Sequence, residues 1–225
     1  MASDRVDGSI RHVGIIPDGG RRWAVAHGMP LVDAYKISMG KLEQCLDAFY
    51  AHGLSSVSIY MLSKLNLART PAYLQAVDIA ESLYLETVVP AVRDRWSLAV
   101  KVAGNLDPVP ARLREAALKV HSSSSKVGRT LFMCIGYDPF EELQHAHTSG
   151  PGWRNKEDLL AALWVSQEID LVIRTGGART LSHFLPLQAG YARLVFLDQL
   201  FNDTTSEELL DIMKDQEQRR CLFGK

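Results

Sequence analysis

The residues best suited to chemistry follow a short apolar run at residues 13–16, near the start of the chain. This run is typical of a buried strand, and a carboxylate, two glycines and two arginines come directly after Pro17. Glycines let backbone N–H groups approach an anion closely, and arginines donate charge-assisted hydrogen bonds to it. An aspartate beside them, here Asp18, can hold Mg²⁺ against phosphate oxygens. The stretch predicts a phosphate-binding loop, although an ordinary surface turn with solvated arginines has the same short pattern.

A second stretch repeats this arrangement late in the chain. The apolar run at residues 170–174 ends in Arg174, the glycine pair Gly176 and Gly177 follows, and Ser182 precedes the next apolar run. Two strand ends that each carry arginine and glycine suit a substrate with two phosphate groups, or two such substrates.

The elements that would position these residues alternate between strand and helix along the whole chain. Strands are expected at residues 13–16, 56–62, 97–103, 129–136, 170–174 and 194–197. Helices are expected at residues 35–52, 71–95, 110–121, 137–147, 156–165, 182–192 and 206–218. The alternation predicts a single α/β domain over residues 1–225, with a mostly parallel six-stranded sheet flanked by helices and with residues 1–9 loose. The polar strand ends would then share the carboxyl edge of the sheet, where ligands bind in such folds.

The composition argues against several classes of function. The chain has 225 residues, of which 47% are apolar, and a net charge of −1, so no nucleic-acid partner is expected. Three widely spaced cysteines argue against a disulfide framework or a zinc site and favour the reducing cytoplasm. No signal peptide and no transmembrane segment are expected.

Three sequence motifs together resemble those of the cis-prenyltransferase, or undecaprenyl diphosphate synthase, family. The first is HVGIIPDGGRRWA, beside the family form HxAxIMDGNxRWA. The second is IYMLSKLNLART, which carries a Ser-x-x-Asn element at Ser63 and Asn66. The third is DLVIRTGGARTLSHFLPLQAGYARLVF, which is similar to the family's DLxIRTGGExRxSNFLxWQxAYxExxF. The motifs stand in the family's order and extend over the chain from end to end.

The resemblance implies a homodimer, an apolar tunnel between two helices, and Mg²⁺-dependent ionisation of an allylic diphosphate. It implies that Asp18 is the metal-binding and catalytic carboxylate and that Ser63 and Asn66 lie beside the reacting carbons. It further implies that the arginine loop holds the allylic diphosphate, while Arg174 and Ser182 hold the second diphosphate. The substrate-binding residues expected on this basis are Gly19, Gly20, Arg21, Arg22, Trp23, Tyr35, Leu67, Arg69, Arg174, Thr180, Ser182 and Arg193. A tryptophan such as Trp23 serves more often in core packing than as a wall of a substrate site, and it can do both.

Several residues depart from the family pattern. Gly20 stands in place of an asparagine, Tyr35 in place of a histidine, and Leu67 in place of the tryptophan after the catalytic asparagine. Thr180 replaces an arginine, and Arg193 replaces the glutamate that helps to bind Mg²⁺. Most of the later changes touch the site for isopentenyl diphosphate. A cation in place of a metal-binding carboxylate would repel Mg²⁺ or contact phosphate directly.

The first diphosphate site largely keeps the residues of the family pattern, whereas the second site departs from it at several positions. This difference favours a branch of the family in which both substrates are allylic. Enzymes of that branch join two dimethylallyl diphosphates head-to-middle, and cyclolavandulyl or lavandulyl diphosphate is the predicted product. The alternative is a linear short- or medium-chain synthase that uses isopentenyl diphosphate. A third reading is a non-catalytic partner subunit, which the retained Asp18 and Arg22 disfavour because such partners tend to lose this loop.

Overall fold

The computed structural model describes residues 9–121, 128–149 and 152–219. The expectation that residues 1–9 are loose falls almost entirely outside these ranges. The described ranges form alternating strands and helices around one sheet, as the sequence pattern predicts. No helix within them has the length and apolar content needed to cross a membrane.

Six parallel strands form the sheet in the order β3-β4-β2-β1-β5-β6. The strands are β1 (His12–Ile16), β2 (Ser56–Ser63), β3 (Leu98–Ala103), β4 (Arg129–Tyr137), β5 (Leu171–Arg174) and β6 (Arg193–Phe196). The carboxyl ends of the central strands β2, β1 and β5 are adjacent, so the three polar strand ends of the sequence meet at one edge. The predicted sheet is confirmed.

Eight α-helices are described, and most agree with the sequence expectation. They are α1 (Gly20–Ala26), α2 (Leu31–His52), α3 (Pro71–Leu83), α4 (Val89–Trp96), α5 (Ala111–His121), α6 (Pro139–Thr148), α7 (Lys156–Ala162) and α8 (Ser206–Gln218). A π-helical turn, Tyr84–Val88, joins α3 to α4 in place of the single continuous helix expected at residues 71–95. The helix α8 begins with a capping box between Thr205 and Glu208, as its sequence indicates.

Two apolar cores lie on the two faces of the sheet. Along β4, Leu131 and Met133 belong to the larger core with α2, α3, α5 and α8, whereas Phe132 and Cys134 belong to the smaller one. This division follows from the geometry of a strand, in which successive side chains point to opposite faces. The helix α2 contributes several residues to the larger core, and its first half forms one wall above the carboxyl edge.

The helix expected at residues 182–192 is wrong. This segment forms consecutive turns, with positive φ at Ser182 (48°), His183 (68°) and Leu185 (44°). A left-handed residue cannot continue a right-handed helix, and each one outside glycine costs about 1–2 kcal/mol. Two buried anchors hold the turns in place, since Phe184 packs in the smaller core and Gln188 donates to Glu142. Tertiary contacts therefore override the apolar periodicity of this segment.

Candidate active site

The loop after β1 delivers a carboxylate and two arginines to the carboxyl edge of the sheet. Asp18 follows Pro17, and its N–H donates to the carbonyl of Ile16 at 2.9 Å, which turns the chain out of the strand. Helix α1 starts two residues later, so its first turn carries Arg21 and Arg22. The sequence predicts this loop correctly, but it leads directly into a helix instead of forming an open glycine loop.

Two guanidinium groups hold the carboxylate of Asp18. Its Oδ2 accepts from Nη2 of Arg174 at 3.0 Å, and its Oδ1 accepts from Nη2 of Arg22 at 3.3 Å. The Asp18 side chain keeps 35% of its surface exposed, whereas the Arg174 side chain keeps only 8%. Each guanidinium has more donors than one carboxylate uses, so the cluster can hold additional anionic oxygens.

Arg174 is oriented by the turns that follow β5, at Thr180 and Ser182. Its Nη1 donates to the carbonyl of Thr180 at 2.6 Å and to Oγ of Ser182 at 2.7 Å. The hydroxyl of Thr180 is also an acceptor for this nitrogen, at 3.3 Å. The Nε of Arg174 is buried and has no hydrogen-bond partner among the described residues. The turns after β5 therefore serve to fix one buried guanidinium beside Asp18.

The loops after β1 and β5 approach so closely that only glycine fits at Gly176. A Cβ there would lie 2.6 Å from Nη2 of Arg22 and 3.0 Å from the carbonyl oxygen of Asp18, and the residue has φ +84°. The hydroxyl of Thr175 donates to the same carbonyl at 2.8 Å. The two arginine-bearing strand ends are thus one site.

The end of β2 forms a third side of this site. A 3₁₀ turn, Lys64–Ala68, follows the strand, and Oγ of Ser63 caps it by accepting from the N–H of Asn66 at 3.1 Å. Arg69 then stacks over the ring of Tyr73 with its guanidinium carbon 4.7 Å from the ring centroid. Arg21 approaches the same ring at 5.9 Å. One aromatic ring therefore positions cations from two different loops.

A cavity of about 250 Å³ opens between these strand ends and extends between α2 and α3. Of the predicted site residues, those that line it are Asp18, Gly19, Gly20, Arg21, Arg22, Tyr35, Ser63, Asn66, Arg69, Arg174 and Ser182. Within the cavity wall Gly20 and Tyr35 are in tight contact, since a Cβ on Gly20 would lie 2.9 Å from Cε1 of Tyr35.

Four predicted site residues do not line the cavity. Trp23 lies in α1 and donates its indole N–H to the carboxylate of Asp203 at 2.6 Å. Leu67 packs against the larger core. Thr180 contributes through Arg174, by the hydrogen bonds described above. Arg193 starts β6 and is in register with the first residue of β5, about 10 Å from the strand end that carries Arg174.

Arg193 lies apart from the arginine cluster within one chain, and its expected contact with substrate or metal stays a prediction. The carboxyl edge of the sheet holds the cavity, and Arg193 lies at the amino end of its strand, where its Nη2 donates to the carbonyl of Arg219 at 3.1 Å. Within one chain the substitution of the family's glutamate is therefore remote from the arginine cluster.

Several cavity residues were not predicted as site residues. They are Ile16, Pro17, Ser38, Met39, Tyr60, Met61, Tyr73 and Glu81. Tyr60 and Met61 lie near the carboxyl end of β2. Burial raises the pKa of the Tyr60 hydroxyl, and this hydroxyl donates to the carbonyl of Ser182 at 3.1 Å. Tyr73 and Glu81 lie about two turns apart on α3, so helical spacing places them on one face of that helix but does not indicate the cavity that they line.

The donor set at the site fits Mg²⁺ in one specific way. Among the described residues there is no group of three or more acidic, histidine or cysteine side chains that would form a protein cage. Mg²⁺ commonly takes one or two carboxylates together with substrate phosphates and waters. The partly exposed carboxylate of Asp18, surrounded by donors for a diphosphate, suits this mode of binding.

Comparisons with known proteins agree with this geometry. Residues 16–224 match the family model described as "Putative undecaprenyl diphosphate synthase". A tritrans,polycis-undecaprenyl-diphosphate synthase (geranylgeranyl-diphosphate specific) of Aeropyrum pernix is 33% identical over 214 residues, which cover 90% of this chain and 92% of the relative. An isoprenyl transferase of Rickettsia typhi is 26% identical over 226 residues, covering 96% of this chain and 99% of the relative.

A solved structure has the same fold. The lavandulyl diphosphate synthase of Lavandula x intermedia, in complex with dimethylallyl diphosphate, superposes with a TM-score of 0.87. The match covers 97% of this chain and 99% of that chain, at 20% sequence identity. At this identity the likeness establishes the fold.

Proposed function

The chain belongs to the cis-prenyltransferase (undecaprenyl diphosphate synthase) family, and we propose that it joins two dimethylallyl diphosphates head-to-middle. Membership makes it a prenyl diphosphate synthase. The proposal concerns the second substrate and the carbon that attacks. The product is a branched C10 diphosphate, lavandulyl diphosphate, or its cyclised form, cyclolavandulyl diphosphate.

The second diphosphate site carries the proposal. The turns after β5 position Arg174 there, and Thr180 accepts hydrogen bonds from it where the family has a second arginine. A site with fewer cations than the family pattern has lost part of the recognition of isopentenyl diphosphate. The fold likeness to a synthase solved with dimethylallyl diphosphate gives independent support.

The arginines of the loop after β1 would bind and orient the diphosphate of the donor unit. Arg21 and Arg22 project from the first turn of α1, and Asp18 joins Arg22 to Arg174 of the second diphosphate site. Positioned donors that need not reorganise stabilise the negative charge that grows on a departing diphosphate. Mg²⁺ held by Asp18 and the diphosphate would supply further charge neutralisation when bound.

The reaction then balances without an external oxidant or reductant. The C1–O bond of the donor unit breaks, and diphosphate leaves with the electron pair. The C2=C3 π electrons of the acceptor unit form the new bond to C1 of the donor and leave a tertiary cation at C3. Loss of a proton from a methyl group gives the isopropenyl group of lavandulyl diphosphate. Ser63 and Asn66 lie at the cavity wall, where they would orient the released diphosphate or a water as the base.

A linear synthase that uses isopentenyl diphosphate is the second candidate. The 33% identity to an undecaprenyl diphosphate synthase over 90% of the chain favours it. This candidate requires that Arg174 and Ser182 suffice for isopentenyl diphosphate, and that the cavity opens enough for a growing chain. A homodimer remains a prediction from the resemblance, and a cytoplasmic location remains one from the three widely spaced cysteines.

Product analysis separates the two candidates. The purified chain is incubated with Mg²⁺ and dimethylallyl diphosphate alone, and then with isopentenyl diphosphate added, and the dephosphorylated products are identified by gas chromatography with mass spectrometry. A branched or cyclic C10 alcohol from dimethylallyl diphosphate alone supports the proposal. Turnover only in the presence of isopentenyl diphosphate, with linear products, would contradict it.

A further inference from the structure

A buried carboxyl group lies in the wall of the cavity between α2 and α3. Glu81 retains 5% of its surface exposed and still lines the cavity, on the same face of α3 as Tyr73. Eight helical residues separate the two, a rise of about 12 Å along the axis. Tyr73 stacks against the cationic end of the site through Arg69 and Arg21. Glu81 is therefore an acidic cavity residue about two helical turns along α3 from the tyrosine that the arginines approach.

One oxygen of the Glu81 carboxyl is buried without a partner. Its Oε2 has no hydrogen-bond partner among the described residues. Burial raises the pKa of this carboxyl well above its ordinary value, which favours its neutral form. An unpaired polar group in an apolar environment costs stability unless water or a ligand satisfies it. Val77 and Ala80 are buried on the same helix but have no polar side-chain atoms, so they carry no such cost.

The same helix supplies a matched comparison. Ser82 is fully buried, and its Oγ also has no hydrogen-bond partner among the described residues. Ser82 does not occur among the described residues that line the cavity. Glu81 and Ser82 are adjacent in sequence, and each has a buried oxygen without a hydrogen-bond partner among the described residues. Only Glu81 lines the cavity, so only its carboxyl can contact a ligand bound there.

We propose that Glu81 sets the length of the hydrocarbon chain that the cavity accepts. The inference rests on the proposed function only in that an allylic diphosphate enters with its diphosphate at the arginine cluster. With the diphosphate at the arginine cluster, a chain of three isoprene units extends farther along the cavity lined by Glu81 than a five-carbon chain does. A hydrocarbon that covers this carboxyl would strip away the water it needs, without offering a hydrogen bond in return. The carboxyl thus favours short allylic substrates and disfavours long ones.

The test compares the affinities for dimethylallyl and farnesyl diphosphate in four proteins. The unreactive thiolodiphosphate analogues are titrated by calorimetry into the wild-type chain, Glu81→Leu, Glu81→Gln and Ser82→Ala. In Glu81→Leu we expect the affinity for the farnesyl analogue, relative to the dimethylallyl analogue, to rise by about tenfold or more, as apolar pocket contacts typically allow. Glu81→Gln keeps a neutral polar group and should keep the wild-type ratio, as should Ser82→Ala.

Three results would overturn the inference. One is an unchanged ratio in Glu81→Leu, and another is an equal rise in Glu81→Gln or Ser82→Ala. The third is a lower melting temperature in Glu81→Leu, because the fold would then need the carboxyl. The affinity ratio does not depend on which carbon attacks, so a linear product in the product analysis would refute the head-to-middle proposal and leave this measurement intact.

Discussion

The contact between Gly20 and Tyr35 gives a sharp prediction about two residues that depart together from the family pattern. A Cβ on Gly20 would lie 2.9 Å from Cε1 and 3.2 Å from Cδ1 of Tyr35. Carbon atoms prefer a separation of about 3.5–4.0 Å, so the ring would have to move. Its edge-to-face contact with the ring of Tyr73, at 6.3 Å between centroids, opposes that movement.

The cost of Gly20→Ala follows from these distances. Overpacking of this kind costs about 1–3 kcal/mol, and the lower entropy of an unfolded alanine offsets about 0.4–1 kcal/mol. We expect the free energy of unfolding to fall by about 1–2 kcal/mol. In a Tyr35→Ala background the clash is absent, so the same change should be neutral or stabilising, and the double-mutant cycle isolates the contact.

Urea denaturation at constant pH measures the change in the free energy of unfolding that Gly20→Ala causes in the wild-type chain and in the Tyr35→Ala background. Gly40→Ala is the matched control, because Gly40 is exposed on α2 and a Cβ there would have no heavy atom within 4 Å. That control should stabilise the chain by about 0.5–1 kcal/mol. Equal effects of Gly20→Ala in both backgrounds, or a gain in stability with Tyr35 present, would refute the reasoning.

Three further predictions follow from the described contacts. Asp18→Ala should lower kcat/KM by about 100-fold or more, because it removes the carboxylate at the centre of the arginine cluster; diphosphate release with Mg²⁺ present measures it, and normal turnover would contradict the mechanism. Glu142→Ala should cost about 3 kcal/mol or more in urea denaturation, since the Tyr137 hydroxyl and the Gln188 amide lose a buried acceptor; a smaller loss would mean that water replaces it. Burial raises the pKa of Glu81 above its ordinary value of 4.5, so the native chain keeps a proton that the unfolded chain releases. Stability should therefore fall as the pH rises above about 4.5, and denaturation at about pH 5 and about pH 8 should show a larger fall than in Glu81→Gln.

The sheet and most of the site could be predicted because short-range patterns determine them. Apolar runs marked every strand, and parallel strands bring their carboxyl ends to one edge. The loop at Asp18, the Ser63 turn and Arg174 all follow such strand ends directly. Their meeting in one cavity therefore follows from the topology.

The segment after β5 could not be predicted from periodicity. Its apolar spacing resembles a helix, yet Arg174 and Glu142 recruit Ser182 and Gln188 through hydrogen bonds across the fold. Those long-range bonds require left-handed backbone at Ser182, which no local pattern signals. The position of Arg193 could not be predicted for a related reason. The motif identifies the residues next to Arg193 in sequence, but it does not indicate that Arg193 lies at the amino end of β6.

The most direct test of head-to-middle condensation is the carbon connectivity of the product. Dimethylallyl diphosphate labelled with ¹³C at C1 and C2 is the sole substrate, with Mg²⁺ present, and the C10 product is examined by ¹³C nuclear magnetic resonance. Head-to-middle joining predicts that C2 of the acceptor unit shows one-bond couplings to two labelled carbons, its own C1 and the C1 of the donor. If product forms only with unlabelled isopentenyl diphosphate added, and every labelled carbon couples to a single labelled neighbour, the attack comes from isopentenyl diphosphate and the proposed reaction is contradicted.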